Sequence, residues 1–77
     1  MRVEIKLFAG FRPYMPDTPD RRYTDVPDGS TVGDIIHFLG IPEDMKKIIF
    51  INGVHVTVES VLQEKDRLAI FPPVAGG

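Results

Sequence analysis

Residues 31–40, TVGDIIHFLG, decide the fold of this 77-residue chain. Thr31 can cap a helix, because its hydroxyl can accept a hydrogen bond from the amide of Asp34. The Asp34 carboxylate is favoured at the positive end of the helix dipole. Gly40 can adopt the left-handed conformation that ends a helix. A helix this short is stable only when its apolar stripe docks on a sheet, and that stripe consists of Val32, Ile35, Ile36 and Leu39.

Segments with strand character lie on both sides of this helix. Val3, Ile5 and Leu7 alternate with polar residues, the period of a half-buried strand, and Phe8 continues the outward-facing series. Two hairpin-like units therefore flank one helix that covers one face of the sheet, an α+β arrangement of four to five strands. We expect the first and last strands to lie side by side in the middle. The predicted strands cover residues 2–7, 21–26, 48–51, 54–56 and 67–71.

Turn signals connect these elements. Asn52-Gly53 is the strongest two-residue hairpin signal. Pro72-Pro73 removes two backbone donors, so the sheet is expected to end there. The other predicted connections are a proline-rich loop over residues 9–20 that is neither regular helix nor central strand, a short helical turn over 43–47, and an irregular segment over 57–66 anchored by Val61 and Leu62.

Composition excludes several classes of site. The chain has no Cys, so it has no disulfide, no zinc–thiolate site and no thiolate nucleophile. Its net charge of −2 argues against a nucleic-acid or anionic-membrane binder. Apolar runs such as Ile48–Ile51 are far shorter than the roughly 20 residues that a membrane span needs. We therefore expect a cytoplasmic protein with no nucleic-acid or membrane partner.

Catalytic and metal-binding candidates are few. His37 beside the helix stripe and His55 in the hairpin are separated in sequence and have no third ligand near them, so we interpret both as surface residues. No metal site is predicted. Pro13–Pro19 contains two overlapping P-x-x-P spacings. Because that spacing is common, we interpret the segment as a stiff surface loop rather than an SH3 or WW ligand.

The C-terminal end is the distinctive feature. We expect one domain over residues 1–71 and a flexible tail over residues 72–77, which ends in Gly76-Gly77. The prolines begin the tail stiffly, and residues without side chains can pass through a narrow channel. A carboxylate is inert as an acyl donor at neutral pH, so another protein must activate it, most simply as an acyl-adenylate from ATP. These properties favour a chain terminus that is itself a substrate over a frayed end.

Several motifs accompany that tail. The C-terminal sequence FPPVAGG, residues 71–77, is the most specific, and the others are Leu7-Phe8-Ala9 followed after two residues by Arg12, the helix start Thr31–Asp34, the hairpin Asn52-Gly53, and the approach to the last strand, Leu62–Asp66. In these motifs the chain resembles the small subunit of molybdopterin synthase, a ubiquitin-like sulfur carrier of the MoaD/ThiS type. The resemblance spans nearly the whole chain. It implies a β-grasp fold with a mixed sheet, in agreement with the predicted element order.

The resemblance also implies a function. In that family an E1-like adenylating enzyme activates the terminal glycine with ATP and magnesium, and a sulfur donor protein converts it to a thiocarboxylate. The tail then enters the large catalytic subunit of molybdopterin synthase and delivers sulfur to a pterin precursor. This chain would thus be a non-catalytic carrier without a permanently bound cofactor. Gly77 would bear the sulfur, Gly76 would be its slim neighbour, and the inserted arm would be Pro72, Pro73, Val74 and Ala75.

A docking face is expected beside the tail. Phe8 lies on the outward phase of the first strand, and Ala69 and Phe71 lie on the outward phase of the last. Neighbouring strands would place both rings in one exposed aromatic patch, and such patches usually bind a partner. The resemblance implies that Phe8 and Phe71 contact the partner and that Arg12 is a polar contact.

Two questions stay open at this point. The family usually has Gly-Asp before the last strand, where this chain has Lys65-Asp66. If that turn needs positive φ, Lys costs about 1 kcal/mol relative to Gly. The sulfur acceptor is open as well. A molybdopterin or tungstopterin precursor is favoured. The alternatives are a carrier for thiamine or cysteine biosynthesis, a ubiquitin-like modifier that forms isopeptide bonds, and an interaction module whose tail has no function.

Overall fold

The computed structural model describes residues 1–16 and 23–73. Its elements follow the predicted order, with one addition after the first strand. They are β1 (Arg2–Leu7), a 3-10 helix (Ala9–Tyr14), β2 (Thr24–Asp25), α1 (Val32–Leu39), β3 (Ile48–Ile51), β4 (Val54–Val56) and β5 (Arg67–Phe71). No helix within the described residues is long and apolar enough to cross a bilayer.

The strands form one five-stranded sheet in the order β2-β1-β5-β3-β4. The first and last strands lie side by side in the middle, as predicted, and the structure shows that they run parallel. All other pairings are antiparallel. A mixed sheet with parallel central strands and one helix across a single face is the β-grasp arrangement, so the predicted fold class is confirmed.

The helix begins and ends as its sequence predicts. The amide of Asp34 donates to Thr31 Oγ1 at 3.1 Å, and the amide of Thr31 donates to Asp34 Oδ2 at 3.0 Å. This reciprocal capping box satisfies two amide donors at the start of the helix. Gly40 ends the helix in the left-handed region with φ 78°. A Cβ on Gly33 would lie 3.3 Å from the carbonyl oxygen of Val58, so the glycine allows the helix start to approach the 57–60 turn.

The core lies between α1 and the inner face of the sheet, the face turned toward the helix. β1 and β5 alternate buried and more exposed residues along their length, which is the period-2 pattern that the sequence showed. Phe11 of the 3-10 helix closes one end of this core at 1% exposure. The buried apolar residues are Val3, Ile5, Leu7, Phe11, Val26, Val32, Ile35, Ile36, Ile41, Ile49, Leu62, Leu68 and Ile70.

Two of the turns that precede strands contain residues with positive φ. Asn52 and Gly53 have φ of 51° and 83°, as a two-residue hairpin turn requires. Lys65 has φ 66°, so the turn before β5 is one where Lys is less favourable than Gly. Its amide still donates to the carbonyl of Arg2 at 2.6 Å, which fixes this turn against the start of β1.

The connecting segments hold the errors of the sequence-based prediction. Residues 9–14 form a 3-10 helix rather than an irregular loop, with Pro13 inside it. Burial of Phe11 favours this conformation, and a short 3-10 run needs few amide donors, so it tolerates proline. Residues 43–47 are not helical; the Met45 amide donates to the carbonyl of Pro42 and closes a single turn over residues 42–45. Val61 does not anchor its segment, because it is 58% exposed while Leu62 is 2% exposed.

The second strand is shorter than predicted where it can be described. Only Thr24–Asp25 pair with β1, and residues 17–22, which include the first part of the predicted strand, lie outside the described residues.

Candidate functional site

The outer face of the sheet, turned away from α1, carries the predicted docking residues. Register decides which side chains meet there, because residues paired across strands point to the same face. Ala69 of β5 pairs with Lys6 of β1 on one side and with Phe50 of β3 on the other. Phe71 pairs with Ile48. Phe8 continues β1 by one residue, since its amide donates to the carbonyl of Ile70 at 3.2 Å.

Three phenylalanines form the aromatic cluster of this face: Phe8, Phe50 and Phe71. The rings of Phe8 and Phe71 stack with centroids 4.3 Å apart and planes 6° apart. Phe50 meets Phe71 edge to face, with centroids 5.7 Å apart and an angle of 87°. Offset stacking and edge-to-face contact are the favoured geometries of aromatic pairs. The two rings predicted to be neighbours are therefore brought together, half-buried against each other on the surface.

Phe50 is the site residue that sequence reasoning missed. It lies in the run Ile48–Ile51, where all four residues are apolar, so no polar phase marks which side chain faces out. The hairpin signal indicates on which face of the sheet Phe50 lies. Asn52-Gly53 sets Phe50 opposite His55, and an exposed histidine marks the outer face. The His55 ring lies 5.6 Å from the Phe50 ring at an angle of 52°, so the histidine borders the aromatic cluster.

The tail leaves the sheet at the aromatic cluster. Pro72 and Pro73 are exposed and directly follow Phe71. Val74, Ala75, Gly76 and Gly77 lie outside the described residues, so the roles assigned to them stay predictions. Arg12 is exposed on the 3-10 helix and lines a shallow concavity together with Phe8 and Lys6. The predicted polar contact thus lies next to the predicted aromatic one.

The two histidines stay apart. His37 is exposed on α1, in the helical layer, whereas His55 is exposed on β4 beside the outer face. Among residues 1–16 and 23–73, no group of three or more His, Asp or Glu side chains is placed to hold a metal ion.

The proline-rich loop is described only in part. Pro13 belongs to the 3-10 helix, and the neighbouring Tyr14 hydroxyl donates to Met45 Sδ at 3.9 Å. Asp17–Pro19 fall outside the described part of the chain, so the interpretation of the P-x-x-P spacings stays a prediction.

Comparison with known proteins decides the family. The ThiS family model matches residues 5–77, which include all of β5 and the Gly-Gly end. The chain belongs to the ThiS family. A search of curated proteins returned no significant match.

Solved structures similar to this ThiS-family chain include two at comparable identity. SAMP1 from Haloferax volcanii is 27% identical with a TM-score of 0.71, over 100% of both chains. A putative molybdopterin converting factor subunit 1 from Pyrococcus furiosus is 28% identical with a TM-score of 0.72, over 95% of this chain and 98% of that one. The predicted membership of the ubiquitin-like sulfur carrier family is confirmed.

A third solved structure shows likeness of fold alone. It is the complex of subunits 1 and 2 of the molybdopterin-converting factor from Helicobacter pylori, in which the matching chain is 19% identical with a TM-score of 0.59, over 100% of both chains.

Proposed function

We propose that this ThiS-family chain carries sulfur on Gly77 and donates it to a molybdopterin or tungstopterin precursor. The observation that carries the proposal is the family match, which extends to the Gly-Gly end. The aromatic cluster supports it, because half-buried rings lie on the outer face where the tail begins. The chain supplies the reactive group, and the partner enzymes supply the catalytic sites.

The chemistry begins at the terminal carboxylate of Gly77. A carboxylate oxygen attacks the α-phosphorus of ATP, held with magnesium by an E1-like partner, and pyrophosphate leaves. The terminal sulfur of a persulfide on a donor protein then attacks the acyl carbon, and AMP leaves. A thiol of a partner protein attacks the donor's own sulfur, which breaks the S–S bond, releases the thiocarboxylate and leaves a disulfide on the partner proteins. Glycine at positions 76 and 77 leaves this carbon open to both nucleophile and enzyme. No cysteine of the carrier is present to divert the sulfur into a disulfide.

The arm from Pro72 to Gly77 would deliver the thiocarboxylate. Six residues span at most about 20 Å when fully extended, enough to enter a partner's active site while the sheet stays on that partner's surface. Two prolines at its base limit the conformational entropy that is lost when a partner binds the arm. We propose that the same outer face docks first on the E1-like enzyme and then on the large catalytic subunit of molybdopterin synthase. The H. pylori protein of this fold was solved with subunit 2 of its own converting factor.

Mass spectrometry tests the proposal. The chain is incubated with the E1-like enzyme of its own genome, ATP, magnesium and a sulfur donor, and the C-terminal peptide is weighed. The expected result is replacement of one oxygen by sulfur on Gly77. Gly77→Ala is the matched control, expected to keep the fold and partner binding but to lose sulfur transfer. An unchanged wild-type mass, or normal transfer by Gly77→Ala, would contradict the proposal.

A protein modifier is the second candidate, because one similar structure bears that name. The H. volcanii small archaeal modifier protein 1 is 27% identical with a TM-score of 0.70, over 95% of this chain and 98% of that one. A modifier would join Gly77 to a lysine through an isopeptide bond. Trypsin cleaves after Arg67, so it would leave residues 68–77 attached to the lysine. Detection of that remnant on other proteins, with no thiocarboxylate, would favour the modifier.

The identity of the sulfur acceptor is tested separately. A carrier for thiamine or cysteine biosynthesis would use the same tail chemistry with another acceptor enzyme. Supplying the thiocarboxylate form to each candidate acceptor and following the loss of sulfur from Gly77 separates these pathways. We expect loss with the large subunit of molybdopterin synthase and its pterin precursor.

A further inference from the structure

Ala69 lies at the centre of the outer face and is smaller than every side chain around it. Its neighbours on the flanking strands are Lys6 and Phe50, and its neighbours on the same face of β5 are Arg67 and Phe71. A methyl group among four long side chains leaves a depression. The structure shows a concavity of about 480 Å³ there, and we call it the Ala69 socket; its lining is Lys6, Phe50, Asn52, Gly53, Arg67, Ala69 and Phe71.

The apolar wall of the Ala69 socket is held in place by ring contacts. Phe50 and Phe71 meet edge to face at 5.7 Å, and Phe71 also stacks on Phe8 at 4.3 Å. A wall that is already packed loses little side-chain entropy when a ligand binds, so it favours a specific contact.

The polar part of the socket consists of two cations. Lys6 and Arg67 are both exposed, and neither side chain makes a salt bridge to any residue of 1–16 or 23–73. Asp66, next to Arg67, is occupied otherwise: its Oδ1 accepts from Asn52 Nδ2 at 2.9 Å and its Oδ2 accepts from the Gln63 amide at 2.8 Å. Among the described residues of this chain of net charge −2, two cations and no acid line the socket.

One carboxylate lies nearby on the same face. Glu4 pairs with Arg67 across β1 and β5, but it does not line the Ala69 socket and forms no salt bridge with a described residue. It reduces the positive potential of the socket without occupying it.

We propose that the Ala69 socket receives an acidic side chain, a glutamate or aspartate, from the protein that docks on the outer face. The carboxylate lies between Lys6 and Arg67, where guanidinium geometry favours bidentate contact. The methylene groups of the acidic side chain pack on Phe50 and Phe71 above the Ala69 methyl. This inference rests on the proposed function, which supplies the docking partner, and it adds the chemistry of the contact and a residue that determines specificity.

Other occupants fit the socket less well. A purely apolar side chain would remove Lys6 and Arg67 from water without a partner charge, which is costly. A second copy of this chain, docked face to face, would bring like charges together, and such a pairing is disfavoured. An acidic partner residue satisfies both the cations and the rings.

The test measures affinity for the E1-like enzyme of the same genome by titration calorimetry. Ala69→Leu fills the socket, and Lys6→Glu and Arg67→Glu reverse its charge. Lys46→Glu is the matched control, since Lys46 is an exposed lysine outside the socket. We expect at least about tenfold weaker binding for each of the three socket variants and a change below about twofold for the control. Thermal melting checks that all variants stay folded.

Two further measurements test whether charge and direct contact determine the affinity. Glu4→Gln should strengthen binding, because it removes the negative charge beside the two cations. In the partner, replacing the acidic residue that enters the socket by lysine should restore binding to Lys6→Glu. That recovery requires direct contact, so a merely structural effect of Lys6→Glu would not produce it.

Each remaining outcome overturns the inference. Wild-type affinity in Lys6→Glu and Arg67→Glu, with loss only in Ala69→Leu, would indicate an apolar occupant. A wild-type dimer in light scattering that Ala69→Leu dissociates would indicate a second copy. Tighter enzyme binding after deletion of residues 74–77 would indicate that the tail fills the socket. No binding by the wild-type chain would also overturn the inference, because the enzyme proposed to dock on the outer face would then supply no carboxylate to the socket.

The proposed function fails independently of the socket. Thiocarboxylate on Gly77 with unchanged affinities in the three socket variants would overturn the socket alone. The expected affinities without any thiocarboxylate would overturn the proposed sulfur chemistry alone.

Discussion

The two faces of β5 differ although their residues alternate along five positions. Toward the helix, Leu68 and Ile70 are each 0% exposed and are surrounded by aliphatic side chains. Away from it, Ala69 and Phe71 are half-buried, and their neighbours are rings and cations. The inner face therefore contributes to stability by burying apolar area. The outer face leaves aromatic rings and charged side chains accessible to a partner. Neighbouring substitutions should separate these two roles.

Leu68→Ala should give the largest effect. It removes a fully buried side chain from the central strand, and a Leu→Ala change in a packed core costs about 3 kcal/mol. Urea unfolding of the variant should show this loss in the free energy of unfolding. A loss below about 1 kcal/mol would mean that the inner face is not the packed core described above.

Phe71→Ala should affect docking more than stability. The change removes the stacked contact with Phe8 and the edge contact with Phe50. Loss of these contacts should lower the free energy of unfolding by about 1 kcal/mol. Affinity for the E1-like enzyme should fall by at least about tenfold. Phe38→Ala is the matched control, since Phe38 is 63% exposed on α1 and lies in the helical layer. Equal loss of affinity in both variants would contradict the assignment of docking to the outer face.

Thr31→Ala should weaken the helical layer without changing docking. The substitution removes the oxygen that accepts the Asp34 amide at 3.1 Å, and loss of such a cap costs about 1 kcal/mol. Thermal unfolding should report the lower stability, and enzyme affinity should stay at the wild-type value. Thr57→Ala, at an exposed position outside the helix, serves as control. A loss of affinity for the E1-like enzyme in Thr31→Ala would contradict this prediction, because it would show that the helix cap affects docking on the outer face.

Lys65→Gly should stabilise both faces by a small amount. Lys65 holds φ 66° before β5, and glycine relieves a cost of about 1 kcal/mol, offset in part by the greater freedom of the unfolded chain. Lys65→Ala should bring no gain, because alanine also disfavours positive φ. Urea midpoints of the two variants test this. A gain in Lys65→Ala as large as in Lys65→Gly would show that backbone strain is not the cause.

The difference between the faces also explains how much of the fold could be predicted from the sequence. β1 and β5 alternate strictly, so their position side by side and their inner and outer phases were predicted correctly. The hydrogen bond from the Asp34 amide to the Thr31 hydroxyl is local and was also predicted correctly. The 3-10 helix buries Phe11 and contacts β5 as well as β1, and no local signal records the contact with β5.

Some residues of the candidate site could be predicted from the sequence, and others could not. Phe8 and Phe71 follow from strand phase, and the structure stacks them. Phe50 lies in a wholly apolar run, so its phase is fixed only by pairing with β4 and β5. The Ala69 socket depends on three strands in register, and a sequence pattern within one strand does not show it. The chemistry at Gly77 stays a proposal that the family match supports.

The most direct test of the central claim is the mass of residues 68–77, the last tryptic peptide, from chain isolated from the cells that make it. We predict that wild-type cells yield this peptide with one oxygen of Gly77 replaced by sulfur, and that cells lacking the E1-like enzyme yield only the carboxylate. A carboxylate in both strains, or residues 68–77 found only as a remnant on lysines of other proteins, would contradict the assignment of this chain as a sulfur carrier.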